Sequence, residues 1–204
     1  MEKYYGEAVN VSELYYAEVT QDVEDAYTAG TPAILAPVAT IAKETATNTK
    51  TRFYSGKALY VDTSEGDTVL TIVVPGLTVK TRAELLGKLY DETTGMMYDD
   101  GVPGEKYFAL GYSVAHAGGK DEFVWLLKGK FSIPRDEVET KTENINEKTL
   151  SVTFTAICTK AKFQLTTTKT GNTKAVYGDT GDEAFTKGAS WFNAVVTPPA
   201  IQEA

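Results

Sequence analysis

The chain has 204 residues and a mass of 22.1 kDa, which suits one domain, and its 42% hydrophobic and 24% charged content is that of a folded globular protein. A formal net charge of −8, from 28 acids against 20 bases, argues against a protein that clamps nucleic acid by neutralising phosphates; such a surface repels DNA, and it also favours solubility. The single cysteine, Cys158, excludes an internal disulfide framework and fits folding in a reducing cytoplasm.

Twenty-nine threonines and 18 valines, many in alternating contexts, favour extended backbone and point to a mainly β protein. The opening MEKYYGEAVNVSEL has no apolar stretch of the kind a secretory leader needs, and no run approaches the roughly 20 apolar residues of a membrane span. A polar N-terminal arm, about residues 1–8, precedes an early strand in AVNVSELYYAEVT, residues 8–20. RFYSGKALYVD (52–62) and DTVLTIVV (67–74) read as two strands separated by a Ser-Glu-Gly turn. Thr81 followed by Glu84 has the spacing of a capping box, and Leu85, Leu86, Leu89 and Tyr90 recur at helical spacing, which predicts a short amphipathic helix from Arg82 to Tyr90.

Residues 105–133 read as an antiparallel hairpin with Ala-Gly-Gly-Lys at its tip. On its second strand Phe123, Trp125, Leu127, Phe131 and Ile133 are expected on one face, while the other face passes from Val124 and Leu126 to Lys128, Lys130 and Ser132. In TLSVTFTAIC, Leu150, Val152, Phe154 and Ala156 should point inward and Ser151, Thr153 and Thr155 outward, with Cys158 a small core residue. Near the end, Asp182 reads as a helix cap, Phe185, Ala189, Phe192 and Val196 as a helical stripe, and Pro198 as its stop. The expected core anchors are Phe123, Trp125, Leu127, Phe131, Leu85, Leu89 and Phe192, in one mainly β (α+β) domain spanning residues 1–204 with one or two helices packed on it.

No catalytic constellation emerges. His116 is the only histidine and falls at a hairpin tip, where a solvated role is the simpler reading. DTGDE (179–183) offers Asp179, Asp182 and Glu183 as oxygen donors for calcium but matches no EF-hand loop, and a loop entering a helix cap explains it equally. The carboxylate pairs in YDD (98–100) and PRDE (134–137) are of a kind common on solvated loops. No cofactor is expected, and an enzyme is the weaker reading.

The run EFVWLLKGKFSIPRDEVETKTENI resembles the major tail protein, or tail tube protein, family of phages with long non-contractile tails. SELYYAEVT, FYSGKALYVDTSEGDTVLTIVVPGLTVKTRAELLG, GEKYFALGYSV and WFNAVVTP resemble further family segments in the same order, so the likeness spans nearly the whole chain; its most specific part runs from Trp125 to Lys141.

The resemblance implies a tail-tube-type β-sandwich or barrel with one flanking α-helix, a short C-terminal helix and extended loops and arms. It also implies hexameric rings that stack into a hollow tube through which double-stranded DNA passes without specific binding. The implied partners are further copies of the chain and the tape-measure, tail terminator and distal tail-tip proteins, with no membrane insertion. The implied location is the virion tail, assembled in the bacterial host cytoplasm.

An inter-subunit arm is expected at about residues 43–60, where TATNTKTRFYSGK is rich in threonine and poor in core-forming residues; its candidate contacts are Thr47, Thr49, Arg52, Phe53 and Tyr54. Beyond Pro134, a polar excursion adds Glu137, Glu139, Thr140 and Lys141 as further candidates. Unpaired strand edges would then serve as assembly surfaces. Tubes of this kind also occur in tail-derived bacteriocins, and a β-rich adhesin or decoration domain that binds host glycan or protein is the alternative from another class.

Overall fold

A computed structural model describes residues 6–12, 14–135 and 148–201. Among these described residues, fourteen strands and one α-helix follow in chain order: β1 (Ala8–Val11), β2 (Leu14–Val23), β3 (Ala26–Ala29), β4 (Ala33–Ala36), β5 (Thr40–Tyr54), β6 (Lys57–Val74), α1 (Val79–Leu86), β7 (Leu89–Asp91), β8 (Met96–Tyr98), β9 (Tyr107–His116), β10 (Lys120–Arg135), β11 (Leu150–Ala156), β12 (Phe163–Thr166), β13 (Lys169–Gly171) and β14 (Ala175–Asp179). The protein is mainly β, as its composition implies. No described helix is long and apolar enough to cross a membrane.

One antiparallel sheet runs β3-β2-β9-β10-β11-β6-β5. β1 continues along the β9 edge beyond β2, β4 pairs with β2, and the far edge of β10 is shared between β14 and β11. Alternation sends Leu14 and Tyr16, Phe108 and Leu110, Val124 and Leu126, and Leu150, Val152 and Phe154 into a first core. Val11, Ile41 and Ala175, from strands far apart in the sheet order, pack on that same cluster, so the sheet curls around it. β11 alternates as its sequence predicts, with Leu150, Val152, Phe154 and Ala156 buried and Ser151, Thr153 and Thr155 half-buried.

The opposite face carries a second core of Ala109, Trp125, Leu127, Ala161, Phe163 and Trp191, covered by the chain after β11. Trp125 donates its indole N–H to the Trp191 carbonyl at 3.1 Å, and Phe192 stacks on Tyr15 with centroids 4.2 Å apart. Phe123 and Phe192 are half-buried against this core. The expected C-terminal helix is not formed; only a 3-10 turn, Gly188–Ser190, interrupts irregular chain. Neighbours on an α-helix diverge by about 100°, whereas Trp191 and Phe192 both pack against the sheet here.

Two further expectations change. The strand through Phe123, Trp125 and Leu127 does not hold one parity to Phe131, because the β9–β10 register shifts between Leu126 and Gly129. Phe131 and Ile133 therefore join the first core with Val124 and Leu126, and Lys128 is buried. The helix is Val79–Leu86 instead of Arg82–Tyr90: the Thr78 side chain accepts from the Thr81 N–H at 3.1 Å, and Gly87, at φ 65°, closes the last turn. Leu85 is buried as expected, but Leu89, beyond Gly87 on β7, is 64% exposed and is no core anchor. Cys158, expected in the core, is exposed, since the strand alternation ends at Ala156.

Candidate functional site

β5 and β6 are far longer than the strands that they adjoin. β6 pairs with β11 only over Thr68–Val74, so the chain from Ala46 to Asp67 leaves the sheet as a two-stranded ribbon with no further strand on either edge among the described residues. Ser64, Glu65 and Gly66, expected as a turn, lie inside β6 opposite Asn48 and Thr47. The reversal is at Ser55-Gly56, both at positive φ (51° and 75°), the backbone that a two-residue hairpin turn requires. The dipeptide was hidden inside the apolar-polar run RFYSGKALYVD.

Every residue from Ala46 to Asp67 is exposed. The ribbon is held by its backbone ladder and a few cross-strand contacts: Thr49 with Thr63 at 3.4 Å, Arg52 with Asp62 at 2.7 Å, and Tyr54 edge-on to Tyr60 with centroids 6.2 Å apart. Exposed ion pairs contribute at most about 1 kcal/mol, and an isolated two-stranded hairpin is marginal in water. At its base Thr45 and Thr68 share a hydroxyl hydrogen bond of 2.9 Å, Lys43 sits 5.0 Å from the Tyr177 ring, and Lys174 donates to the Gly66 carbonyl at 2.8 Å. The register also shifts between Thr45 and Thr47, where Gly66 faces Ala46 with a would-be Cβ only 3.4 Å from the alanine methyl. An irregularity there re-aims the two strands away from the core.

The distal end is apolar. Phe53, Tyr54, Leu59, Tyr60 and Val61 are each 54–67% exposed, among the cations Lys50, Arg52 and Lys57. Burying one side chain of this size in a partner surface is worth roughly 1.5–3 kcal/mol. Such a cluster at the end of a thin ribbon marks a surface that gains by being covered.

Of the sequence-derived contact candidates, Thr47, Thr49, Arg52, Phe53 and Tyr54 all fall on this ribbon; Glu137, Glu139, Thr140 and Lys141 lie outside the described residues, as do the first five residues of the N-terminal arm. The sequence reading missed Leu59, Tyr60 and Val61, because the turn was assigned to the wrong Gly. Had Ser55-Gly56 been chosen, the paired strand would have carried them.

Several of the groups considered for chemistry make local structural contacts, and His116, Asp179 and Asp182 line one pocket. His116 ends β9 and its Nδ1 lies 3.0 Å from the Gly6 carbonyl, with Glu122 3.7 Å from Nε2. Asp179 and Asp182 accept from the Gly181 and Ala184 N–H groups of their own turns, and no group of three or more potential ligands is gathered among the described residues. Asp99 and Asp100 flank Lys88 at 2.6 and 3.6 Å. PRDE is described only in part.

A buried ion pair was not foreseen. Lys128 and Asp22, each 6% exposed, join β10 to β2, and Asp22 also accepts from the backbone N–H groups of Lys160 and Ala161 at 2.8 and 2.9 Å. Burial resists ionisation of Asp22, but the Lys128 hydrogen bond and the two backbone donors outweigh it and hold its carboxyl below the usual range. The arrangement fastens the outer layer to the sheet and has no exposed reactive atom. The chain matches no model of a known protein family and no curated protein.

Proposed function

We propose that the protein is a structural subunit that polymerises through its β5–β6 ribbon, as the tail tube subunit of a long-tailed phage does, and forms a conduit for genome delivery. The carrying observation is the ribbon itself: 22 consecutive exposed residues, Ala46–Asp67, with two open edges and an apolar end. Among the described residues of a single copy nothing covers them, and a neighbouring copy supplies a strand edge or an apolar face by symmetry. The net charge of −8 accords with a wall along which DNA slides without sticking. The likeness of the Trp125–Lys141 stretch and four other segments to tail tube proteins supports the same reading. In this role the partners are further copies, a tape-measure protein and the proteins at the tube ends, and the location is the virion tail.

Electron microscopy of the concentrated protein in negative stain, with light scattering on the same sample, tests the proposal. Hollow tubes or stacked rings are the expected result. Protein that stays monomeric at every concentration, even when seeded with tail-tip complexes, contradicts it, and saturable glycan binding by that monomer would favour an adhesin instead.

A further inference from the structure

A second exposed apolar surface lies on the short hairpin after the helix. Leu89 pairs with Tyr98 across β7 and β8, Met96 follows on the same face, and the three are 64%, 49% and 55% exposed. The alternate residues Tyr90 and Met97 are half-buried. Around this outward face stand Asp91, Glu92, Asp99 and Asp100, with Lys80 paired to Glu92 and Lys88 to Asp99 and Asp100. Hydrogen bonds from Thr93 and Thr94 hold Asp91 in its ionised form.

The ribbon end has the opposite balance: Lys50, Arg52 and Lys57 against Asp62 alone. Both surfaces present aromatic or apolar side chains that are 49–67% exposed in the same molecule, so neither covers the other. Two ribbon ends brought together would oppose cation to cation, and two hairpin faces carboxylate to carboxylate. The unlike pairing alone joins apolar area to apolar area with charges complementary.

We infer that the Leu89–Met96–Tyr98 face is the socket for the ribbon end of a second copy of this chain, in a head-to-tail contact. Such a head-to-tail contact leaves a pair open to growth, because one copy keeps a free socket and the other a free end. The ribbon reaches about 30 Å beyond the sheet, at roughly 3.4 Å per residue over Ala46–Tyr54. The inference rests on the proposed self-assembly and specifies which surface receives the ribbon.

The experiment uses the full chain in two forms, Tyr54→Asp/Tyr60→Asp at the end and Leu89→Asp/Met96→Asp at the socket, with circular dichroism to check that both fold. Sedimentation should show that each form alone stops growing at a small unit. An equimolar mixture should double that mass and stop, since one intact end meets one intact socket. A socket variant that polymerises like the unaltered protein, while the end variant does not, overturns the socket and leaves the ribbon's role in assembly standing. Unaltered protein that never self-associates overturns both.

As a second readout, Tyr60→Cys and Met96→Cys, each made in Cys158→Ser and mixed, should give a disulfide-linked dimer on oxidation. Absence of that dimer from assembled protein also overturns the socket.

Discussion

Lys128 and Asp22 lie 106 residues apart in the chain and meet with both side chains 6% exposed, so the middle of β10 is fastened to β2 by a charge pair. Removing Asp22 leaves Lys128 buried without its counter-charge, with the Tyr107 ring 4.7 Å from its ammonium. Asp22→Ala should therefore lower unfolding stability by about 3–5 kcal/mol, read from urea denaturation. A loss below 1 kcal/mol would mean that water reaches Lys128 freely.

The same pair sets a pH dependence. Asp22 has a folded-state pKa below its unfolded value, so its contribution is fully present above the unfolded pKa and is lost as pH falls through the folded one. Stability should decline below about pH 4, the ordinary range of an aspartate. Asp22→Asn should flatten part of that decline, as denaturation midpoints between pH 7 and pH 2.5 would record.

Trp191 is 2% exposed and closes the outer face of the sheet, with its carbonyl taking the Trp125 indole N–H. Trp191→Ala should cost about 3–5 kcal/mol through the cavity and lost contacts. The change should also expose Trp125, which a red shift in its fluorescence would report before global unfolding.

Close packing across β10 and β11 leaves no room at Gly129, where an added Cβ would sit 2.5 Å from both the Phe154 ring and the Thr155 carbonyl. The carbonyl is backbone and cannot swing aside. Gly129→Ala should destabilise by about 1–3 kcal/mol, as a lowered thermal midpoint, whereas Gly66→Ala, whose nearest neighbour is at 3.4 Å, should change stability far less.

The ribbon makes the opposite prediction. Replacing residues 47–65 by a two-residue turn removes only exposed side chains, so the thermal midpoint should stay within about 2 °C, the size of shift expected for a change well under 1 kcal/mol. Self-association, followed by light scattering, should be lost. A variant that no longer folds would show that the ribbon belongs to the core fold.

What was legible in the sequence follows the range of the signal. Alternation in β11, the β9–β10 hairpin with its Ala-Gly-Gly tip, and the burial of Trp125 and Leu127 are local properties that period-2 patterning carries. The shift before Gly129 reverses the parity of Phe131, and a bulge leaves no mark on composition. The C-terminal stripe had helical spacing but lost to tertiary packing, since Trp191 and Phe192 both have sheet residues to meet. Leu89 fell outside the helix because Gly87 ended it first, and Leu89 then became part of an exposed face. Within the candidate site, the threonine-rich strand was visible as an arm. Its partner strand was not, because a Ser-Gly turn looked like the inside of a strand.

The central claim is that another copy covers the ribbon, and amide hydrogen exchange as a function of protein concentration tests it most directly. Exchange in β9 and β10 should be slow throughout, while the ribbon amides of residues 47–52 and 58–66 should exchange quickly in dilute protein and slow markedly as concentration rises. Ribbon exchange that stays equally fast from dilute to concentrated protein would contradict the account.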